Sequence, residues 1–235
     1  MALFPNSLPL KANDLGIVEG EQKLLDGGLV SVVGLVNGSP VGVEHAISLA
    51  AGVLRHIDTH ARRPLVLLIN AGSQLMGRRD ELLGLNEYLA HLIKSIYLAS
   101  TAGSYTVSIL YGTAAAGAMV ATAMATDTLI AVPGAAPSVM DLPSISRVTK
   151  LPLEQLENMS KSTPIFAPGV DPMLNTGAIA EEWQTPGEFA TRLQRLLAGG
   201  QANVDLRDEL GAQRLGRLEA ARIARLVKEE ALRRA

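Results

Sequence analysis

Between Ser104 and Pro133 the chain carries one charged residue, Asp127, and that stretch constrains the fold more than any other. Tyr105, Val107 and Ile109 alternate with Thr106 and Ser108, which is the period of a strand. Tyr111-Gly112 is a sharp exit from it. Thr113 to Ala125 is built of Ala, Gly, Met, Val and Thr, without charge or Pro. A helix that is apolar all round belongs in an interior. Leu129 to Val132 then reads as a second short strand, stopped by Pro133. The first N–H groups of a helix have no partner inside it, and they carry the positive end of its dipole. Ala114, Ala115, Ala116 and Gly117 are small enough to let a ligand reach that backbone. Such a turn suits an oxyanion hole, where fixed N–H donors meet an oxygen that gains charge. Composition alone favours the other reading, a helix kept small to pack tightly on a sheet.

The same alternation recurs upstream. Leu29 to Val36 is a continuous apolar run of strand length, closed by the turn Asn37-Gly38-Ser39-Pro40. Val43 to Ile57 has helical spacing. Leu65 to Ile69 is another buried strand, Asn70 to Gly77 a loop, and Asp80 to Ala99 a helix. Strands alternating with helices predict an α/β fold with largely parallel pairing. Ligands in such folds gather at the carboxyl ends of the strands. Asn37-Gly38, Asn70 to Gly77 and Tyr111 to Gly117 are therefore expected to converge on one pocket. Residues 1–28 read as an irregular lead-in, 29–200 as the main domain and 201–235 as a C-terminal segment with an amphipathic helix. Met140 to Ser160 reads as short amphipathic helices, Lys161 to Pro172 as rich in Pro and Gly, and Pro186 to Leu197 as a helix with Pro at its start.

Composition removes several classes of function. The formal net charge of −2 supplies no basic field for nucleic acid. The absence of Cys excludes disulfides, Cys-ligated zinc and a thiol nucleophile. No apolar run reaches the length of a membrane span, and the N-terminus lacks the order of a signal peptide, so a soluble cytoplasmic protein is expected. The phosphate-loop, dinucleotide, HExxH and GxSxG patterns are all missing. His56 and His60 flank Asp58 at metal-ligand spacing but sit among arginines, so they read as a solvated helix end, and no metal is expected. No local nucleophile–base pair stands out. An enzyme with this sequence works by positioning and oxyanion stabilisation, or it borrows residues from another chain.

Two segments carry a resemblance. Asn70 to Glu81 (N-A-G-S-Q-L-M-G-R-R-D-E) looks like the carboxyltransferase loop D-x-P-G-x-x-P-G-x-x-x-E, with Ala71 and Met76 where that pattern has prolines. Gly112 to Ala118 (G-T-A-A-A-G-A) looks like the crotonase turn G-x-A-x-G-G-G. In this order, the chain resembles the crotonase superfamily, more narrowly the carboxyltransferase subunits of acyl-CoA carboxylases, and over nearly its whole length the gamma subunits of malonate decarboxylase. The resemblance implies a crotonase/ClpP-like superhelix of repeated β-β-α units with a helical C-terminal segment. It implies a thioester carbonyl held by two backbone N–H groups, one from Gly72 or Ser73 and one from Ala116 or Gly117. Asn70, Gln74, Gly112, Thr113, Ala115 and Ala118 are then the expected substrate-binding neighbours. Ala115 and Ala116 stand where a Clp-type protease has serine, and Ala118, Met119 and Val120 where hydratases often have glutamate, so both activities are disfavoured.

The implied function is decarboxylation of a malonyl thioester to the acetyl thioester, at a site shared with a homologous beta subunit in a hetero-oligomer. No cofactor is then bound directly. The acyl group rides on the phosphopantetheine-type arm of an acyl carrier protein, and biotin is the acceptor in biotin-dependent systems. Two alternatives stay open: a carboxyltransferase subunit of a biotin-dependent acyl-CoA carboxylase, and a non-catalytic scaffold that shapes its partner's site.

Overall fold

The computed structural model describes residues 2–162 and 167–234. A six-stranded sheet with order β1-β2-β3-β4-β6-β8 forms the middle of the molecule. β1 (Ile17–Lys23) pairs antiparallel with β2 (Leu29–Leu35). β3 (Leu65–Ile69), β4 (Thr106–Leu110), β6 (Thr128–Ala131) and β8 (Glu181–Glu182) continue it in parallel. β5 (Thr113–Ala115) and β7 (Ala136–Ser138) form a separate two-stranded parallel sheet. The helices are α1 (Val43–His60), α2 (Arg78–Leu82), α3 (Leu85–Thr101), α4 (Ala116–Ala121), α5 (Leu142–Thr149), α6 (Leu153–Ser162), α7 (Val170–Asn175), α8 (Phe189–Gly199), α9 (Arg207–Gln213) and α10 (Ala220–Arg234).

The winding is a repeat. β4-β5-α4 and β6-β7-α5 each place one strand in the large sheet, one in the small sheet and then a helix. β2 and β3 begin simpler versions of the same unit, in which a single parallel bridge between Val41 and Gln74 replaces the short strands. This is the β-β-α repeat that the family resemblance implies.

Parallel strands covered on both faces read as continuous apolar runs. Val33, Leu35, Leu65, Leu67 and Ile69 pack beneath α1, α3 and α4, against Leu49, Val53, Leu92, Ile96 and Met119. Val30, Val32, Val66, Val107, Ile109 and Ile130 face the other way, against Phe4, Trp183, Phe189 and Leu193. Two polar β4 side chains are fully buried and bonded. Thr106 Oγ1 donates to Asp127 at 2.7 Å, and Ser108 Oγ accepts from Thr126 Oγ1 at 3.1 Å. Among the described residues no helix is long and apolar enough to cross a membrane.

Several expectations are corrected. Residues 1–28 are not an irregular lead-in, because β1 lies within them. Its Glu19 and Glu21 make it look soluble, yet they pair with Arg55 and with His60 and Arg63 along the sheet edge. The single helix expected over 80–99 is two, α2 and α3, divided at Gly84 with φ 78°. The single helix expected over 113–125 is a strand, the six-residue α4 and a 3₁₀ turn, Ala123–Ala125. His56 is buried rather than solvated. Residues 201–235 hold α9 as well as α10. The Pro- and Gly-rich stretch 161–172 lies partly outside the described residues.

Candidate functional site

β2, β3 and β4 all end on the same edge of the sheet, and Asn70 ties their exits together. Its backbone N–H donates to Leu35 O and its carbonyl accepts from Gly38 N–H, both at 2.8 Å. Its side-chain Oδ1 accepts from Thr113 N–H at 3.2 Å, and Nδ2 donates to Val36 O at 3.4 Å. Gly112 makes room for this amide: a Cβ there would stand 2.1 Å from Asn70 Oδ1. The three loops expected to converge are thus joined through one residue, Asn70, by its backbone and its side chain.

The next layer brings the two halves of the site together. Ala71 N–H donates to Thr113 O at 2.7 Å, and Ala115 N–H to Gly72 O at 3.2 Å. Gly72 packs on backbone, since a Cβ would meet Gly38 O and Pro40 at 3.2 Å. Its own N–H donates to Ser39 O at 2.9 Å. The Ser73 N–H meets no acceptor among the described residues. Ser73 Oγ turns aside to donate to Gln74 O at 3.1 Å. On the facing turn, Ala116 has φ 50°, a left-handed conformation that non-glycine residues seldom adopt. It joins the end of β5 to α4. The following Gly117 N–H donates to the Gln74 side-chain Oε1 at 2.8 Å.

Of the residues expected at the site, Asn70, Gly72, Ser73, Gln74, Gly112, Thr113, Ala115, Ala116 and Gly117 lie in this one cluster. Ala118 sits apart, fully buried in the core beneath α4. Two features were not readable in advance. Nothing in A-A-A-G announces a left-handed alanine, and nothing marks Gln74 as the acceptor for Gly117. The Asn70 clamp had a signal, because an Asn directly after a buried strand commonly bonds nearby backbone.

The cluster is neutral and built of backbone. Tyr111 stands beside it, its hydroxyl donating to Val36 O at 3.3 Å, and burial pushes its pKa up, so it stays protonated. Asp80 is buried nearby, but its carboxylate is engaged in accepting the Val43 N–H at 2.9 Å, at the start of α1. Arg79 and Glu44 pair at the surface. Such an arrangement can bind and polarise a carbonyl oxygen; it offers no general base of its own.

A cavity of about 500 Å³ lies at the opposite end of the sheet, lined by Tyr105, Leu129, Leu196, Val204, Leu206 and Leu210 among others. Asp127 borders it, but that carboxylate accepts from Ser100 Oγ, Thr106 N–H, Thr106 Oγ1 and Asn203 N–H at 2.6–3.0 Å. A carboxylate so occupied fastens the 199–210 segment to the sheet.

Comparison with known proteins gives a consistent result. The family described as the malonate decarboxylase gamma subunit matches residues 36–231. The malonyl-S-ACP:biotin-protein carboxyltransferase MADD of Malonomonas rubra is 27% identical over 150 residues, which are 60% of this chain and 51% of that protein. The chain therefore spans about half the length of that curated relative. The crystal structure of a Pseudomonas malonate decarboxylase hetero-tetramer in complex with coenzyme A superposes with a TM-score of 0.80 at 28% identity, over 97% of this chain and 96% of that one. The Pseudomonas MdcD-MdcE hetero-dimer gives 0.77 at 26% identity, with the same coverage of both chains. The mixed α/β, crotonase-like architecture expected from sequence is the one these structures share.

Proposed function

Because the chain belongs to the malonate decarboxylase gamma-subunit family, we propose that it forms, with a homologous beta subunit, a site that decarboxylates a malonyl thioester carried on an acyl carrier protein. The observation that carries this reading is the meeting of the 72–74 loop with the 115–117 turn, which brings the Ser73 and Gly117 N–H groups into one cluster. Gly72 and Ala116 shape the cluster, and Ser73 and Gly117 supply the donors. Gly72 has already committed its N–H to Ser39.

The reaction asks little acid–base equipment of the protein. The bond between the methylene carbon and the carboxylate breaks, carbon dioxide leaves, and the electron pair moves onto the thioester oxygen as an enolate. Protonation at carbon gives the acetyl thioester. Donors aimed at the enolate oxygen lower the barrier, by about 3 kcal/mol each in other enzymes. A neutral cluster of backbone and small side chains matches that requirement. The coenzyme A in the similar Pseudomonas hetero-tetramer supports a phosphopantetheine-type arm as the carrier of the acyl group. The MdcD-MdcE hetero-dimer supports a beta subunit as the partner.

A second reading has its own support. The similar Malonomonas rubra protein is described as a biotin-protein carboxyltransferase. In that version the carboxyl group passes to biotin on a carrier protein. Both readings use the same donors, so excess avidin separates them: it stops the transfer version and leaves direct decarboxylation intact.

Co-expression with the beta subunit tests the assignment. We expect the co-purified complex to release carbon dioxide from a malonyl thioester. The separate chain should be inactive, since the beta subunit completes the site and supplies the proton donor, and should self-associate in light scattering. Robust turnover by the separate, monomeric chain would contradict the shared site.

A further inference from the structure

We propose that Gln74 is a displaceable plug for the Gly117 donor, holding it with its own amide oxygen until a thioester carbonyl takes that place. This rests on the reading of the site given above. A backbone N–H can only donate, so the acceptor at 2.8 Å is the Gln74 carbonyl oxygen and its amide orientation is fixed. That oxygen is chemically close to the oxygen of a thioester: a neutral sp² carbonyl oxygen lying on the same N–H. The side chain also crowds the spot physically. A Cβ built on Gly117 would meet Gln74 Oε1 at 3.3 Å, Leu89 Cδ1 at 3.4 Å and Gln74 Cδ at 3.5 Å. The Gly117 N–H carries one hydrogen, already bonded to Gln74, so an acyl oxygen seated on it competes with the Gln74 amide.

The plug is built to move. Gln74 is half-buried, its long side chain has several rotatable bonds, and its backbone is anchored through the bridge to Val41 and the Leu75 N–H bond to Val41 O. The loop therefore stays in place when the amide swings away. The benefit is selectivity. The resting donor is already occupied, and a ligand anchored elsewhere along its length is the one best placed to displace that bond. A competing internal acceptor lowers apparent affinity by the fraction of molecules in which the donor is free.

The measurement is steady-state kinetics of the co-purified complex on a malonyl thioester, with wild type, Gln74→Ala, Gln74→Met and Gln74→Glu. A single net hydrogen bond corresponds to roughly a 5-fold effect. Gln74→Ala should raise kcat/KM about 5-fold, with the change carried by KM. Gln74→Met keeps the length without the acceptor and should do the same, and it stands in if the alanine variant does not assemble. Gln74→Glu substitutes a charged and stronger acceptor and should raise KM at neutral pH. A merely structural cap would instead lower the melting temperature and kcat in all three variants. Failure of the wild-type complex to release carbon dioxide would remove the site reading and the plug together. Turnover by wild type, with Gln74→Ala and Gln74→Met at or below its kcat/KM, would remove the plug alone.

Discussion

At the scale of single residues, polar groups are placed by what surrounds them rather than by their own propensity. His56 lies on α1 with five per cent of its surface exposed, and Ser104 Oγ is 2.8 Å from its Nε2. Ser104 donates its own hydrogen to Ala61 O at 2.7 Å, so it must accept from His56 Nε2–H. Nδ1 is left bare and buried. Burial lowers the His56 pKa to about 4, helped by repulsion from His60 and Arg63. The unfolded chain takes up this proton near pH 6.5 and the folded chain does not. Stability from this group is therefore complete above pH 6.5 and is lost as the pH falls towards 4, by on the order of 2–3 kcal/mol in total. Urea unfolding at pH 7.5 and pH 5 should show the fall, and His56→Gln should flatten it relative to wild type. Equal pH dependence in the two proteins would show that His56 is not the cause. In the sequence His56 reads as half of a solvated pair with His60. Only the approach of Ser104, forty-eight residues away, places it inside.

At the scale of elements, the strands and helices with strong periodicity were legible and those set by pairing were not. β2, β3 and β4 announce themselves because both of their faces are covered. β1 does not, because an edge strand with Glu19 and Glu21 looks like a solvated loop until its partners Arg55 and Arg63 are in place. β5 is the clearest case of tertiary override: Thr113-Ala114-Ala115 has little strand propensity, yet it pairs with β7. The break that follows falls on Ala116, whose φ of 50° costs about 1–2 kcal/mol for a residue with a Cβ. Glycine would remove that cost but add about 0.4–1 kcal/mol of unfolded-state entropy. Ala116→Gly should therefore stabilise the folded protein by about 0.5–1 kcal/mol in denaturant titrations. A destabilised Ala116→Gly protein would show that the turn is held by alanine packing instead. The convergence of the 37–38, 70–77 and 111–117 loops was legible, because parallel strands must present their exits on one edge. The division of labour within the cluster was not, since it depends on which N–H groups the surrounding backbone has already claimed.

At the scale of the whole molecule, apolar surface is left over. Val120 on α4 is 41% exposed, and Met76, Leu82 and Tyr97 lie open on the loop and helices that neighbour it. α10 carries Ile223, Leu226, Val227 and Leu232 exposed, and none of its residues is buried. Contiguous exposed apolar surface is typical of interfaces, and a permanent interface covering these residues would bury more than about 2,000 Å² in total. This agrees with a site that two homologous subunits complete together. It also fits a cluster at residues 72–117 that contains donors but no base: the electron pair of the breaking carbon–carboxylate bond forms the enolate without one, and the proton taken up at carbon would come from the facing subunit or from solvent. The central claim is that the Gly117 N–H holds the thioester oxygen, and the most direct measurement is carbon dioxide release from a malonyl thioester by the co-purified complex carrying Gly117→Val. The added side chain would press on Gln74 and Leu89 and cover the N–H. The account predicts normal assembly with turnover reduced by about an order of magnitude or more; full turnover by a normally assembled Gly117→Val complex would contradict it.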